Sequence, residues 1–200
     1  MKPLLLGTTS KYKRVLFQRL GLEFEQAAPP FEEYVSEDLA PQDLASNLAI
    51  GKAKSLSESY PNHLIIGADQ VLALGKKIYT KPETNEKAVD QLLSLAGKTH
   101  ALHTAFALWV PSENRLISRV VSAYMTFHDN LCADFLRQMV ESDATQDCVG
   151  GYKYESQGIF LFEKVETSDV NTIIGLPLSA MIEELSALGY FPDRFDGNPK

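Results

Sequence analysis

The stretch LLLGTTSKYKR, residues 4–14, combines an apolar run, a small hydroxyl-rich turn and the beginning of a helix-like segment. The apolar run predicts a buried strand, and the turn predicts that a helix begins directly after it. A helix N-terminus presents unpaired N–H groups and the positive end of the helix dipole. Because Lys11, Lys13 and Arg14 add cations at this point, the stretch predicts a binding site for an anion, most naturally a phosphate chain.

Composition limits the possible partners of that site. The chain has 200 residues, 44% hydrophobic and 22% charged, with a formal net charge of -7 and a pI near 5.1. These values predict one globular domain over residues 1–200 and argue against broad binding to nucleic acid or anionic lipid. A local basic pocket in an acidic protein suits a small polyanion.

The sequence also carries expectations about compartment and cysteine chemistry. No apolar stretch is long enough to cross a bilayer and no signal-peptide pattern opens the chain, so we expect a cytoplasmic protein without a membrane partner. Cys132 and Cys148 form no C-x-x-C pair and no cluster with zinc-ligand spacing. They are predicted to be buried, reduced thiols.

The order of predicted elements favours an α/β fold with a mixed sheet. Helix and strand patterns alternate over the first half, and two long strands follow at residues 100–109 and 116–127. A strand is predicted to end at Asp69, a helix to bury Val15, and short strands to cover 149–151 and 159–162. The polar tail, 193–200, is predicted to be frayed. Neither G-x-G-x-x-G nor a G-x-x-x-x-G-K-[ST] loop is present.

Acidic residues supply the candidates for catalysis and metal binding. Asp69, predicted at a strand end, is either a turn or capping residue, or a general base or Mg²⁺ ligand. Glu32 and Glu33 are either solvated loop residues or carboxylates that meet a metal ion arriving with a triphosphate. The sequence leaves these alternatives open.

Lysines and a late glycine-rich loop complete the constellation. Lys52 and Lys81 are surface residues, or they join Lys13 and Arg14 in one cleft, where they would neutralise charge on a departing pyrophosphate. The loop 150–158 is either a mobile tip or a base-recognition loop in which Glu155 accepts from the N–H edge of a guanine. The four histidines share no metal-ligand spacing, and we assign them no role.

Taken together, these segments resemble the Maf-type nucleotide pyrophosphatases over about residues 4–188. The resemblance is carried by residues 9–14, 32–33, 51–53, 66–71, 81–82, 150–155 and 175–178. It implies a mixed, strongly twisted sheet with flanking helices in two lobes around a cleft. It also implies hydrolysis of a nucleoside triphosphate between the α and β phosphates, with a divalent metal (Mg²⁺, Mn²⁺ or Co²⁺), and makes a homodimer plausible.

The resemblance assigns roles residue by residue. Asp69 would accept the proton of the attacking water and, with Glu33, would serve the metal. Phosphate-binding residues would be Ser10, Lys13, Arg14, Lys52 and Lys81. Lys13 departs from the family, which usually has arginine there, and lysine lacks the bidentate fork of a guanidinium.

Three positions indicate the subgroup. Relatives that prefer dTTP and UTP tend to have Arg, Thr and Gln where this chain has Tyr12, Gln70 and Glu155. The chain is therefore similar to the subgroup that acts on 7-methyl-GTP, although that subgroup usually has Trp in place of Tyr12. A ring that stacks on the cationic methylated base can contribute about 2 kcal/mol when desolvated.

Two alternatives stay open at this level. One is a pyrophosphatase of broader range, acting on other modified nucleotides or on dTTP and UTP. The other is a nucleotide-binding regulator of cell division that needs no turnover. A carboxylate pair beside the phosphate site argues for the enzymes, because a pure polyphosphate binder gains little from acidic groups near its ligand.

Overall fold

A mixed β-sheet forms the centre of the computed structural model, which describes residues 1–34 and 38–191. The described strands are β1 (Leu4–Gly7), β2 (Phe24–Ala27), β3 (Leu64–Leu74), β4 (Lys77–Tyr79), β5 (Thr99–Val110), β6 (Arg115–Phe127) and β7 (Phe162–Glu166). The described helices are α1 (Lys11–Gln18), α2 (Pro41–Lys54), α3 (Asn85–Leu95), α4 (Ala133–Asp143), α5 (Asn171–Ile174) and α6 (Leu178–Ala187). Short 3₁₀ helices cover Pro111–Glu113, Val149–Gly151 and Gln157–Leu161. The α/β class expected from the sequence is confirmed.

The strand order is β2-β1-β3-β5-β6-β7, with β4 also paired to β3. β1 runs parallel to β2 and β3, and the other pairs are antiparallel. The β1 ladder on β3 stops at the pair Gly7 and Gly67, and the β4 ladder begins at Leu72. Between them, residues 68–71 of β3 have no partner strand on that edge among the described residues. This gap places the middle of β3 at the mouth of a cavity.

Hydrophobic clusters cover both faces of the sheet. Ile65 and Val71 of β3 pack with α2 on one face, whereas Ile66 and Ala68 pack with α1 and α6 on the other. A further cluster joins the end of β3 to α3 and α4. The alternation along β3 therefore aims successive side chains at different helices.

Gly67 permits the close approach of α2 to β3. A Cβ at this position would lie 2.2 Å from the Ala49 carbonyl oxygen and 2.7 Å from the Ala53 amide nitrogen. These are distances that real Cβ atoms do not adopt, so a side chain here would push the helix away. The absence of a side chain sets the height of α2, and of the Lys52 it carries, above the strand.

Several local expectations are wrong. The strand predicted to end at Asp69 continues to Leu74. Its two polar residues are tolerated within the strand because both side chains have hydrogen-bond partners. Val15 is 54% exposed. The inner face of α1 follows the i, i+3, i+4 pattern from Lys13 through Leu16 and Phe17, which leaves Val15 outside.

The remaining corrections concern the late loop and the thiols. Residues 149–151 form a 3₁₀ turn because Gly150 and Gly151 have φ of 82° and 73°, outside the strand region. The strand expected at 159–162 is a 3₁₀ helix up to Leu161, and β7 begins one residue later. Cys132 is exposed and Cys148 half-buried, so neither thiol is buried as expected. The predicted frayed tail, 193–200, lies outside the described residues.

Across residues 1–34 and 38–191, no helix combines the length and the apolar character that spanning a bilayer would require.

Candidate active site

A cavity of about 510 Å³ opens at the gap in the sheet. Side chains from α1, α2, β3, the segment after β4 and the loop before β7 line its wall. Nine of the residues predicted for the site line this cavity: Ser10, Tyr12, Lys13, Glu33, Lys52, Asp69, Gln70, Lys81 and Glu155. Arg14 is not among the residues that line it, and its side chain is exposed on α1. Residues far apart in the chain thus meet across one groove.

The N-terminus of α1 forms one end of the cavity. Ser10 is the N-cap, and its Oγ accepts a hydrogen bond from the Lys13 backbone N–H at 3.4 Å. Thr8 Oγ1 accepts from the Ser10 backbone N–H at 3.1 Å, which fixes the turn. The first turn of α1 carries no acidic residue, so its positive end is free to meet an anion.

A lysine ammonium links the two carboxylates of the site. Lys52 Nζ lies 2.7 Å from Glu33 Oε1 and 2.8 Å from Asp69 Oδ2. The second oxygen of Asp69, Oδ1, accepts from the Gln70 backbone N–H at 2.8 Å. The side chains of Lys52 and Asp69 are each 13% exposed, whereas that of Glu33 is 54% exposed. The Asp69 end of this triad is consequently shielded from water, and the Glu33 end is open.

The pKa values of Lys13 and Lys52, two of the lysines that line the cavity, shift in opposite directions. Burial lowers the pKa of Lys13, with neighbouring Lys52 and Lys81 acting in the same direction against the attraction of Asp69. Burial also opposes the charged form of Lys52, but Asp69 and Glu33 together outweigh it and raise the pKa of Lys52. Lys52 therefore stays protonated at neutral pH. The charged form of Lys13 is disfavoured by burial, so an anion bound beside it would stabilise that form.

A divalent cation fits the donor set at this point. Among residues 1–34 and 38–191, no three His, Cys, Asp or Glu side chains are grouped as a complete metal site. Glu33 and Asp69 nevertheless converge on a single cationic atom, Lys52 Nζ. Mg²⁺ typically takes one or two protein carboxylates and completes its shell with phosphate oxygens and water. The two carboxylates suit a metal that arrives with a triphosphate.

Gln70, the next residue along β3, faces the opposite side of the sheet. Its Nε2 lies 2.9 Å from Thr104 Oγ1, 2.8 Å from the Thr172 carbonyl oxygen and 3.1 Å from that of Ile173. The cavity is thus bounded by an ion-pair cluster on the α2 side of β3 and by a neutral amide on the α5 side.

Comparison with known proteins decides the family. The model of the Maf-like protein family matches residues 3–188. The chain belongs to the Maf family. A relative from Hahella chejuensis, named 7-methyl-GTP pyrophosphatase, is 41% identical over 93% of this chain and 94% of its own. Relatives with the same name from Syntrophotalea carbinolica and Pseudomonas aeruginosa are each 35% identical, over 94% and 92% of this chain and 96% of their own.

The cavity of this Maf chain is also lined by aromatic and acidic side chains, among them Tyr12 in the first turn of α1 and Glu155 on the loop before β7. The Tyr12 ring centroid lies 5.2 Å from Lys11 Nζ and 5.6 Å from Lys153 Nζ. Lys153 also donates to the Asp143 carbonyl at the end of α4. Glu155 is exposed on the same loop and lines the cavity. Two cations thus lie beside the ring before any ligand enters.

Buried rings pack together next to the loop that carries Lys153 and Glu155. Tyr152 is buried, and its hydroxyl lies 3.0 Å from His100 Nε2. Burial lowers the pKa of His100 to about 4, so the imidazole is neutral at physiological pH. Phe127 packs edge-on against both rings. His100, which had no role assigned from the sequence, contacts the loop 150–158 through Tyr152.

Sequence reasoning missed the residues that hold the Maf site in place. Thr104 pairs with Gln70 across the β3–β5 ladder. Glu83 adopts φ 67°, and its N–H donates to the Gln146 carbonyl at 3.3 Å, which ties the Lys81 segment to the loop before Gly150. No local pattern marks either residue. Strand register could have pointed to Thr104, since it lies opposite a predicted site residue.

Proposed function

We propose that this chain hydrolyses 7-methyl-GTP to 7-methyl-GMP and pyrophosphate. The observation that carries the proposal is the ion-pair cluster of Lys52, Asp69 and Glu33, which shares one cavity with Gln70 and Glu155. The names of the relatives, together with their coverage of nearly the whole chain, support the same substrate.

The phosphate chain is proposed to bind at the α1 end. Ser10, Lys13, Lys52 and Lys81 line the cavity and would contact the phosphate oxygens. Binding an anion beside Lys13 would offset the burial cost of its charge. Because Arg14 is exposed and does not line the cavity, we give the principal contacts to Ser10 and the three lysines and leave Arg14 as a rim contact.

Asp69 is proposed to accept the proton in the chemical step. A water oxygen attacks the α phosphorus, the bond from that phosphorus to the α–β bridging oxygen breaks, and pyrophosphate leaves. The water proton passes to the Asp69 carboxylate. General-base assistance of this kind contributes about 10²–10⁴-fold, and lysine cations stabilise the charge that develops on the leaving group.

Glu33 and Asp69 are proposed to hold a divalent cation, Mg²⁺, Mn²⁺ or Co²⁺. When bound, the metal would neutralise phosphate charge and help to orient the triphosphate. The convergence of both carboxylates on Lys52 Nζ supports this assignment, because it places two anionic ligands around one cationic position.

The methylated base is proposed to bind between Tyr12 and Glu155, which line the same cavity. Glu155 would accept a charge-assisted hydrogen bond from its N–H edge, and Tyr12 would stack on the cationic ring, a contact that can contribute about 2 kcal/mol. Lys11 and Lys153 beside the Tyr12 ring oppose a cationic base, so we expect Tyr12 to supply less than that value.

A nucleotide panel tests the proposed function. The purified chain is assayed for pyrophosphate release from 7-methyl-GTP, GTP, dTTP and UTP, with Mg²⁺, Mn²⁺ or Co²⁺ and with a chelator. We expect 7-methyl-GTP to give the highest kcat/KM and the chelator to abolish turnover. A preference for dTTP and UTP would overturn the substrate assignment. Binding without turnover under every metal condition would instead favour the regulator.

Assembly and location are also proposals. We propose a cytoplasmic homodimer that has no nucleic-acid or membrane partner, on the basis of the family resemblance and the net charge of -7. Light scattering on the purified chain would test the dimer, with a monomer mass near the 22.2 kDa of one chain as the contradicting result.

A further inference from the structure

The orientation of the Gln70 amide is fixed by what surrounds its nitrogen. Two of the three atoms near Nε2 are the backbone carbonyl oxygens of Thr172 and Ile173, which can only accept hydrogen bonds. Reversing the amide would place its own oxygen against them without a proton between. The amide nitrogen is therefore committed to the protein, and the oxygen Oε1 is the part left for a substrate.

The third contact of Gln70 Nε2 is the Thr104 hydroxyl, which accepts the hydrogen bond. This hydroxyl donates to the Thr172 carbonyl at 2.8 Å, so toward Gln70 it can act only as an acceptor. The side chain is fully buried in β5, opposite Gln70 in the ladder. Thr104 thus couples the strand that carries Gln70 to the turn at α5 without touching the cavity.

We propose that Thr104 is a positioning residue for base selection: its hydroxyl contacts Gln70 Nε2 and donates to the Thr172 carbonyl, and so holds in place the carbonyl that keeps Gln70 Oε1 available as an acceptor. This inference rests on the proposed function and deepens it. With Oε1 of Gln70 and the carboxylate of Glu155 both accepting, the cavity selects a base whose edge presents several N–H groups. Guanine and its 7-methyl derivative present N1–H and N2–H₂. Uracil and thymine offer one N–H between two carbonyl oxygens, which would leave an acceptor facing an acceptor.

The test is Thr104→Val, which replaces the hydroxyl by a methyl group of similar size. We expect the ratio of kcat/KM for 7-methyl-GTP to that for UTP to fall by about tenfold, mainly through KM for 7-methyl-GTP, the size of effect that one hydrogen bond supports. Because the chemical step takes place on the other face of β3, kcat should stay within about twofold. Thr104→Ser keeps the hydroxyl and should retain the wild-type ratio.

Thr172→Val is the matched control. Thr172 is fully buried in the same network, but its hydroxyl has no hydrogen-bond partner within residues 1–34 and 38–191, and its backbone carbonyl survives the substitution. Its ratio should match the wild type. If Thr104→Val proves unfolded by circular dichroism, Thr104→Ala removes the same hydroxyl without the added methyl group.

The outcomes separate this inference from the proposed function. A wild-type chain that does not hydrolyse 7-methyl-GTP defeats the proposed function. A wild-type chain that prefers 7-methyl-GTP, together with a folded Thr104→Val or Thr104→Ala variant of unchanged ratio, defeats the role of Thr104 alone. An equal fall in Thr172→Val would show that the effect comes from disturbed packing, and would overturn the inference as well.

Discussion

Asp69 and Gln70 are neighbours in one strand, yet they belong to two different environments. Asp69 faces α2 and is held by an ammonium group, with a second carboxylate on the same nitrogen. Gln70 faces α5 and is held by one hydroxyl and two backbone carbonyls, all neutral. The cavity reaches both because the partner strands β1 and β4 leave the edge of β3 open between them.

The two faces of β3 are suited to different tasks, because one carries charged groups and the other carries neutral hydrogen bonds. Charges on the α2 face can stabilise phosphate and move a proton, and they respond to pH, salt and neighbouring charge. Neutral hydrogen bonds on the α5 face respond chiefly to geometry, which suits discrimination between bases. We therefore expect substitutions on one face to change rate, and substitutions on the other to change selectivity.

The largest expected effect comes from Asp69→Asn, which removes the proposed proton acceptor but keeps the shape of the side chain. We expect kcat to fall by about 10²–10⁴-fold. The residual activity should keep the wild-type order of substrates, because Gln70 and Glu155 are untouched. Pyrophosphate release measures the rate, and circular dichroism checks the fold. A rate close to wild type would refute the role of Asp69, and a changed substrate order would break the separation of the two faces.

Gly67→Ala should give the next largest effect, again confined to the α2 side. The new methyl group would meet the Ala49 carbonyl oxygen at 2.2 Å and force the helix that carries Lys52 away from β3. Overpacking of this kind costs about 1–3 kcal/mol. We expect a lower free energy of unfolding in urea and a lower kcat, with the ratio of 7-methyl-GTP to UTP preserved.

Gly75→Ala is the control for that variant. A Cβ at Gly75 meets nothing within 4 Å, although the φ of 60° strains any side chain there. The control should therefore lose stability without losing kcat. If both variants lose the same fraction of activity, displacement of α2 is not the cause.

Lys13→Arg should have the smallest effect, visible at alkaline pH. Burial lowers the pKa of Lys13, so the wild type should lose this charge at a pH below the ordinary lysine value of 10.5, and kcat/KM should fall there. Arginine keeps its charge throughout this range. The alkaline limb of the variant should move to higher pH, with little change near neutrality. Superimposable pH profiles would contradict the assignment.

The same shift has a stability consequence with a definite sign. Because the pKa of Lys13 is lower in the folded chain than in the unfolded chain, its charged form opposes folding at neutral pH. That cost should shrink as the pH rises through the folded pKa toward 10.5. Lys13→Met should lack this contribution, and the difference between its urea midpoints and those of the wild type should narrow over that range.

The sequence predicted what depends on local pattern. The turn before α1 and the two long strands were readable from residue order, and the structure contains them. Membership of the set that lines the cavity was also foreseeable, because the spacing of the motifs carried the resemblance. Arg14 and Glu32 are exceptions, because neither lines the cavity, and the sequence could not say which of two adjacent charged residues turns inward.

What the sequence could not supply depends on contacts between distant segments. Gln70 meets carbonyls 102 and 103 positions away, and backbone carbonyls leave no trace in residue identity. The continuation of β3 through Asp69 was hidden for a similar reason. Two polar residues such as Asp69 and Gln70 normally indicate that a buried strand has ended. Their partners on α2 and α5, which allow the strand to continue, cannot be identified from the sequence.

The period of two along β3 has an evolutionary consequence. In the proposed function Asp69 serves hydrolysis and Gln70 serves the choice of base, so a substitution at Gln70 is expected to change the choice of nucleotide while the hydrolytic residues stay in place. An insertion or deletion of one residue in this strand would exchange the faces of the two residues and disrupt both roles together. Diversification at this site is therefore expected to proceed by replacement, with the length of the strand held constant.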